Sequence, residues 1–352
     1  MKFLDHNIII LSDPHIGSHL DNQLWHTISL DFAKWLKQKA INQNIKDIVI
    51  CGDIFNNREE ISVSTLHVAG QFFDILKEFN IILLVGNHDA YYKDRTDVNS
   101  IRILNEWDNI TVISEPTVIS AFNHTICMCP WATSIDTIEK CDILLGHFEI
   151  KTFKRTPFDI NQLGVTSSEL LNIAKLIFSG HFHVRDERTY ENGSIIYTGN
   201  PYQLNWNDCE LTKGIYTLDL TSLNYKFIEN NESPIHKKYS LSSFLQKGVP
   251  KEEFKNNFVK VFIDQKIEPE KLDMLYNRLC QYNAYSVKFD YSESEVILVK
   301  ELDIDFKKES FDLEQVFRDY VNGLTVENKK ENIINYILNL YKKISEGSES
   351  YE

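Results

Sequence analysis

Ile81-Ile-Leu-Leu-Val85-Gly86-Asn87-His88-Asp89 is an apolar run that stops at a glycine, followed at once by three side chains able to bind a cation or move a proton. A short run rich in Ile and Leu reads as a buried strand. The glycine lets the chain turn sharply where that strand ends and lets other groups come close. The same pattern recurs on both sides. Upstream, Ile8–Leu11 leads into Ser12-Asp13-Pro14-His15, and Ile48–Cys51 leads into Gly52-Asp53. Downstream, Ile143–Leu145 leads into Gly146-His147, and Leu176–Phe178 into Ser179-Gly180-His181-Phe182-His183. Five successive strands thus end in potential metal ligands, four of them directly after a glycine. Carboxylate, amide and imidazole together suit Mn²⁺, Fe²⁺ or Zn²⁺. Any one of these motifs alone reads as a turn or a helix cap; it is their order and common placement that point to a site. Five of the eleven histidines lie in them, while His6, His19, His26, His67, His124 and His236 read as structural or surface residues.

Amphipathic stretches separate the strands: Leu24–Ala40, Val63–Phe79 and Ser100–Trp107 read as helices. Ile195–Tyr197 reads as a further strand. Strand–helix alternation predicts an α/β layered domain whose strand ends face one crevice. The polar stretch Glu229–Pro234 reads as a linker. Beyond it a smaller unit is expected, with strands at Phe258–Ile263, Tyr285–Phe289 and Glu295–Val299 and a helix over Glu268–Tyr282. A second polar joint, Lys307–Ser310, precedes two amphipathic helices. The division predicted is 1–235, 236–306, 307–346 and a disordered tail 347–352.

The 352 residues carry a formal charge of −14, and 43% are apolar, enough for a large core and too apolar for global disorder. Residues 1–235 hold 19 Lys+Arg against 30 Asp+Glu, so this is no basic-groove protein. Tight binding to DNA then needs metal, a second copy or a partner. No apolar run approaches the roughly 20 residues of a membrane span, and Ile8–Leu11 is too short for a signal peptide. The six cysteines show no CxxC pair and read as reduced thiols. A cytoplasmic protein is expected, in the host cytoplasm if phage-encoded.

The motif order D-x-H, GD, GNHD, GH, G-H-x-H over residues 6–230 resembles the calcineurin-like metallophosphoesterase superfamily. Gly52-Asp-Ile-Phe-Asn-Asn-Arg58, Pro130-Trp131 and Tyr197-Thr-Gly-Asn-Pro201 look most like SbcD-type DNA nuclease subunits, in particular the recombination nucleases of T-even bacteriophages. The phosphoprotein phosphatase branch would carry GD-x-x-D-R-G and GNHE, and neither is present. The resemblance implies a layered β-sandwich flanked by helices, with a small α+β capping domain and C-terminal helices. It implies two divalent metals, Mn²⁺ with Mg²⁺ as the alternative, one on Asp13, His15, Asp53 and His183 and the other on Asp53, Asn87, His147 and His181. It also implies 3′-to-5′ degradation stimulated by ATP.

By the same resemblance His88 faces the scissile phosphate. Asp89 either orients the His88 ring or caps a helix. Asn56 stands where cellular members carry a histidine; it can donate a hydrogen bond to phosphate but carries no proton near neutral pH. Candidate DNA contacts are Arg58, Lys93, Arg95, Lys151, Lys154, Arg155, Arg185 and Arg188, all expected on loops. The apolar residues Leu66, Phe72, Phe73, Ile101 and Leu104 on two of the helices either all face the sheet or, as the resemblance implies, contribute in part to a two-fold homodimer face. The stripes of the C-terminal helices, Leu313, Val316, Phe317 and Tyr320, then Ile334, Ile337, Leu338 and Tyr341, read from pattern alone as packing on the small domain; the resemblance and the polar joint before them point instead to docking of an SMC-like coiled-coil ATPase, which is the expectation here. The other readings are an enzyme acting on a small phosphodiester or a phosphoprotein, and a non-catalytic scaffold for the ATPase.

Overall fold

The computed structural model describes residues 2–247 and 251–291. The expected strand Glu295–Val299, the joint Lys307–Ser310, both C-terminal helices and the tail lie outside the described residues. In chain order the strands are β1 (Asn7–Leu11), β2 (Asp47–Ile50), β3 (Asn80–Leu84), β4 (Ile110–Ile113), β5 (Thr117–Ala121), β6 (His124–Cys129), β7 (Ile143–His147), β8 (Lys154–Thr156) and β9 (Asp159–Ile160). There follow β10 (Leu176–Gly180), β11 (Asp186–Tyr190), β12 (Gly193–Tyr197), β13 (Gly214–Asp219), β14 (Tyr225–Glu229), β15 (His236–Ser240), β16 (Phe258–Ile263) and β17 (Ser286–Tyr291).

They form two six-stranded sheets, in the orders β14-β13-β1-β2-β3-β4 and β11-β12-β10-β7-β6-β5. Each has four parallel strands at its heart: β1 to β4 in the first, and β12, β10, β7 and β6 in the second. Antiparallel strands close the remaining edges.

The unbroken Ile/Val/Leu runs follow from burial on both faces. Along β1, Ile8 and Ile10 join the core between the sheets with Val49, Ile82, Leu84, Ile143, Leu145 and Phe178. Ile9 and Leu11 point the other way, into a core with Phe32, Leu36, Phe72 and Phe73. Those last four sit on the helices Gln23–Asn42 and Val63–Ile75, which cover the outer face of the first sheet. Both are capped at their N-termini, by the side chains of Asn22 and Ser62.

Several expectations are corrected. The second helix stops at Ile75, because Leu76 turns the chain to enter β3 at Asn80. Ser100–Glu106 is a 3₁₀ helix, matching its buried Ile101 and Leu104 three residues apart. Phe72, Phe73, Ile101 and Leu104 are buried within the chain and cannot form a dimer face; of the five residues expected there only Leu66 is exposed. The Glu229–Pro234 stretch is a pinned turn: the buried Asn230 donates to Pro201 O at 3.0 Å and accepts from the Ser233 N–H at 3.2 Å. After it, β15, β16 and β17 make a three-stranded sheet. The helix Pro269–Cys280 packs on that sheet through Leu279, against Val259, Val261 and Ile263. All six cysteines are free thiols. Among the described residues no helix is long and apolar enough to cross a membrane.

Candidate metal centre

The C-terminal ends of β1, β2 and β3 in one sheet meet those of β7 and β10 in the other. Backbone bonds join the first two exits: Asp13 N–H donates to Gly52 O at 3.0 Å, and His15 N–H to Asp53 O at 3.2 Å. The exits are packed so tightly that a Cβ on Gly52 would lie 2.4 Å from His147 Nδ1 and 2.8 Å from Gly86 Cα. Asp13, His15, Asp53 and His181 all hold positive φ, at 57°, 45°, 55° and 92°. A non-glycine residue there costs on the order of 1–3 kcal/mol, strain that collects at functional sites.

Two donor sets result, Asp13–His15–His183 and Asp53–His147–His181. In the first, the Nε2 atoms of His15 and His183 face each other at 2.9 Å, with Asp13 Oδ1 at 3.9 Å from His15 Nε2. In the second, Asn87 Oδ1 lies 2.9 Å from His147 Nε2 and 2.7 Å from His181 Nδ1. Asp53 joins the sets, Oδ2 being 3.8 Å from His15 Nε2 and Oδ1 3.5 Å from His147 Nε2.

The donor chemistry fits cations. His147 Nδ1 donates to Cys51 O at 2.6 Å, so in the neutral ring the Nε2 lone pair points at the Asn87 carbonyl oxygen, acceptor against acceptor. Donors about 2.1 Å from a shared cation stand roughly 3 Å apart, close to these spacings. Among the described residues the buried His15 Nδ1 has no hydrogen-bond partner. Burial drives His15 well below its usual range, His181 down to about 3 and His183 to about 4, so all three are neutral and ready to coordinate. Burial pushes Asp13 up to about 8. Burial would also raise Asp53, but His147 and His15 outweigh it and hold that carboxylate ionised; in turn Asp53 overrides burial at His147 and lifts it to about 9. Such a cluster keeps positive charge on an imidazole unless cations supply it.

His88 sits at the rim, half-buried, its ring centroid 4.9 Å from that of His15. Its N–H donates to Asp53 Oδ1 at 2.8 Å, and its Nδ1 donates to Asn56 O at 2.6 Å. Asn56 therefore acts on His88 through its main chain, a role its side chain could not announce. The expectation that Asp89 orients the His88 ring or caps a helix is corrected. Its carboxylate accepts from the backbone N–H groups of Gly86 at 3.0 Å, Phe55 at 3.1 Å and Ile54 at 3.3 Å, bracing the exits of β2 and β3. Burial and then Asp53 raise its pKa to about 6. Asp89→Ala would leave three buried donors unpaired, at about 1–3 kcal/mol each. The expected result is a loss of at least about 3 kcal/mol in denaturant unfolding, with Asp89→Asn recovering part of it.

Half of the eight candidate DNA-contacting cations are already paired within the chain. Arg95, Arg155, Arg185 and Arg188 are each held by a neighbouring acid: Asp97, Asp159, Glu187 and Asp186. Lys154 and Arg155 lie on β8 and Arg188 on β11, not on loops. Lys93, Lys151 and Lys154 are exposed, and Arg58 is half-buried. One residue given no role from sequence is Trp131. Its ring packs 4.9 Å from His181, and its Nε1 donates to Lys93 O at 2.8 Å. The only signal for it was the Pro130-Trp131 pair.

A family profile described as calcineurin-like phosphoesterase matches residues 6–185. Exonuclease subunit 1 of Enterobacteria phage T4 is 25% identical over 357 residues, spanning 95% of this chain and 98% of that protein. A protein of Invertebrate iridescent virus 3 named as a phosphoesterase, 078R, is 25% identical over 214 residues, or 56% of this chain and 58% of its own. The solved structure of an archaeal phosphodiesterase covers 64% of this chain and 99% of its own length, at 14% identity and a TM-score of 0.36.

Proposed function

The chain belongs to the calcineurin-like phosphoesterase family and is a metal-dependent phosphodiesterase; from that premise we propose that it is the nuclease subunit of a DNA-processing complex, working in recombination and double-strand break processing. The observation that carries the reading is the pair of donor sets sharing Asp53, with His88 beside them. DNA as substrate is supported by the likeness, over nearly the whole chain, to a protein named as an exonuclease subunit. Mn²⁺ suits the mixture of imidazole, carboxylate and amide donors, with Mg²⁺ as the alternative.

Asp13, His15, His183 and Asp53 would hold one cation, and Asp53, Asn87, His147 and His181 the other. Two such cations supply Lewis acidity at the phosphate and lower the pKa of water. Asp53 fixes the spacing of the sets and, through the His88 N–H, the position of the catalytic imidazole. With Nδ1 committed to Asn56 O, His88 turns Nε2 to the substrate, where it stabilises charge or passes a proton to the leaving oxygen. The positioning of the phosphodiester falls to exposed cations such as Lys93, Lys151 and Lys154, which contact phosphate without reading sequence.

The test is digestion of end-labelled DNA with and without Mn²⁺, beside a chromogenic small diester. Mn²⁺-dependent shortening of DNA is expected; cleavage of the small diester with intact DNA would favour the small-substrate reading.

The SMC-like ATPase is the partner we propose for the apolar stripes Leu313–Tyr320 and Ile334–Tyr341, since a subunit's relative implies an assembly. Truncation at residue 308 should spare metal binding and basal nuclease activity while abolishing co-purification with the ATPase. A truncated chain that still binds it places docking elsewhere. A homodimer belongs to the same proposal; a dimeric mass in light scattering at high micromolar concentration is expected, and a strictly monomeric one contradicts it.

A further inference from the structure

The segment 198–213 runs from the end of β12 to the start of β13 and reaches into the metal centre at two places, both on the same donor set. The buried Tyr202 hydroxyl donates to the carbonyl of Pro14, the residue between Asp13 and His15. The buried ammonium of Lys213 donates to the carbonyl of His183 at 2.7 Å. Its two other donors are spent on Asp208 Oδ1 at 2.6 Å and on Asn200 Oδ1.

The network closes on itself. Asp208 Oδ2 accepts from Leu204 N–H at 2.8 Å and from Asn200 Nδ2 at 3.1 Å, and Asn200 Nδ2 donates to Tyr202 O at 2.7 Å. The far side of the same segment holds the small sheet, where Gln203 Oε1 accepts from the His236 N–H at 2.6 Å.

A buried ion pair is weak evidence for stability, because desolvation of both charges offsets their attraction. Lys213 and Asp208 are each about 97% buried in their side chains, 3% remaining exposed on either. What the pair achieves is placement. The ammonium meets the carbonyl of His183, and His183 belongs to the first donor set. The second donor set is held mainly by other contacts, although the His181 N–H also donates to both Asp13 oxygens at 3.2 Å. His147 lies within β7, paired with β10, and Asn87 is flanked by the turn that Asp89 braces.

We infer that Tyr202 and Lys213 are positioning residues for one metal of the pair, the one held by Asp13, His15 and His183, and leave the other untouched. The inference rests on the two-metal reading above. Groups that orient ligands from outside the coordination sphere typically change metal affinity 10- to 100-fold on mutation.

The experiment is Mn²⁺ titration of the full chain, read by electron paramagnetic resonance and elemental analysis. Tyr202→Phe keeps the ring and removes the bond to Pro14 O together with a 3.0 Å hydrogen bond to Ser29 Oγ. Lys213→Met combined with Asp208→Asn removes the ammonium without stranding a buried carboxylate, and Tyr202→Phe decides alone if that double variant does not fold. One of two sites should weaken by roughly 10- to 100-fold. Adding Tyr202→Phe to His183→Ala should change nothing further, whereas adding it to His181→Ala should loosen the ion that remains. Equal weakening of both sites, or unchanged affinities in a chain folded by circular dichroism, overturns the assignment. A parent protein that binds fewer than two ions removes the two-metal reading itself, and this inference with it.

Discussion

Asp53→Ala should lose both metals and nearly all DNA cleavage, even in excess Mn²⁺. Its two carboxylate oxygens lie 3.8 Å from His15 Nε2 and 3.5 Å from His147 Nε2, so its carboxylate stands between the two donor sets. Removing it does more than subtract a ligand. It withdraws the anion that lifts His147 to about 9, and it frees the His88 N–H that Oδ1 holds at 2.8 Å. Metal-supplied charge stabilisation is worth several kcal/mol, and each 1.36 kcal/mol is tenfold in rate. A fall of about 10³- to 10⁵-fold in kcat/KM is expected on this arithmetic. Kinetics on end-labelled DNA with a metal count on the same sample decide it; cleavage equal to the parent would sink the shared-ligand account.

His88→Ala should separate binding from chemistry. The imidazole contacts Asn56 O and lies edge-on to His15, but belongs to neither donor set. Its removal leaves every proposed ligand in place. General acid–base groups contribute about 10²- to 10⁴-fold, so kcat should drop by that range while elemental analysis still finds the parental metal content. His88→Gln, which can hydrogen-bond but not transfer a proton, should recover little if proton transfer is the main role and much if charge stabilisation is. A large loss of bound metal would make His88 a ligand.

The two donor clusters were legible because chemistry and strand grammar coincide at them. Asp13, Asp53, Asn87, His147 and His181 each follow an apolar run too short for a helix, and Gly52, Gly86 and Gly180 mark where two sheets must nearly touch. Roles carried by the main chain were not legible. Asn56 holds His88 through its carbonyl oxygen, a contact that side-chain chemistry does not announce. Asp89 looked like a partner for its neighbour His88, yet its bonds go to Ile54 and Phe55, some 35 residues away. Tyr202 reaches Pro14 across 188 positions, and no periodicity reports such a contact. Periodicity marks the apolar stripes but leaves their destination open between the sheet and a dimer face; Phe72 and Phe73 face the first sheet, as amphipathic helices in layered folds mostly do. The left-handed backbone at Asp13, His15 and Asp53 has no signature in composition, because none of these positions is glycine.

The claim on which the rest depends is that one chain holds two cations joined through Asp53. Mn²⁺ titration of the parent protein, with elemental analysis for the count and electron paramagnetic resonance for the coupling between ions, addresses it without reference to substrate. Two ions per chain, magnetically coupled, and both lost in Asp53→Ala are the predicted result. One ion per chain, or two that remain uncoupled and survive Asp53→Ala, would contradict it.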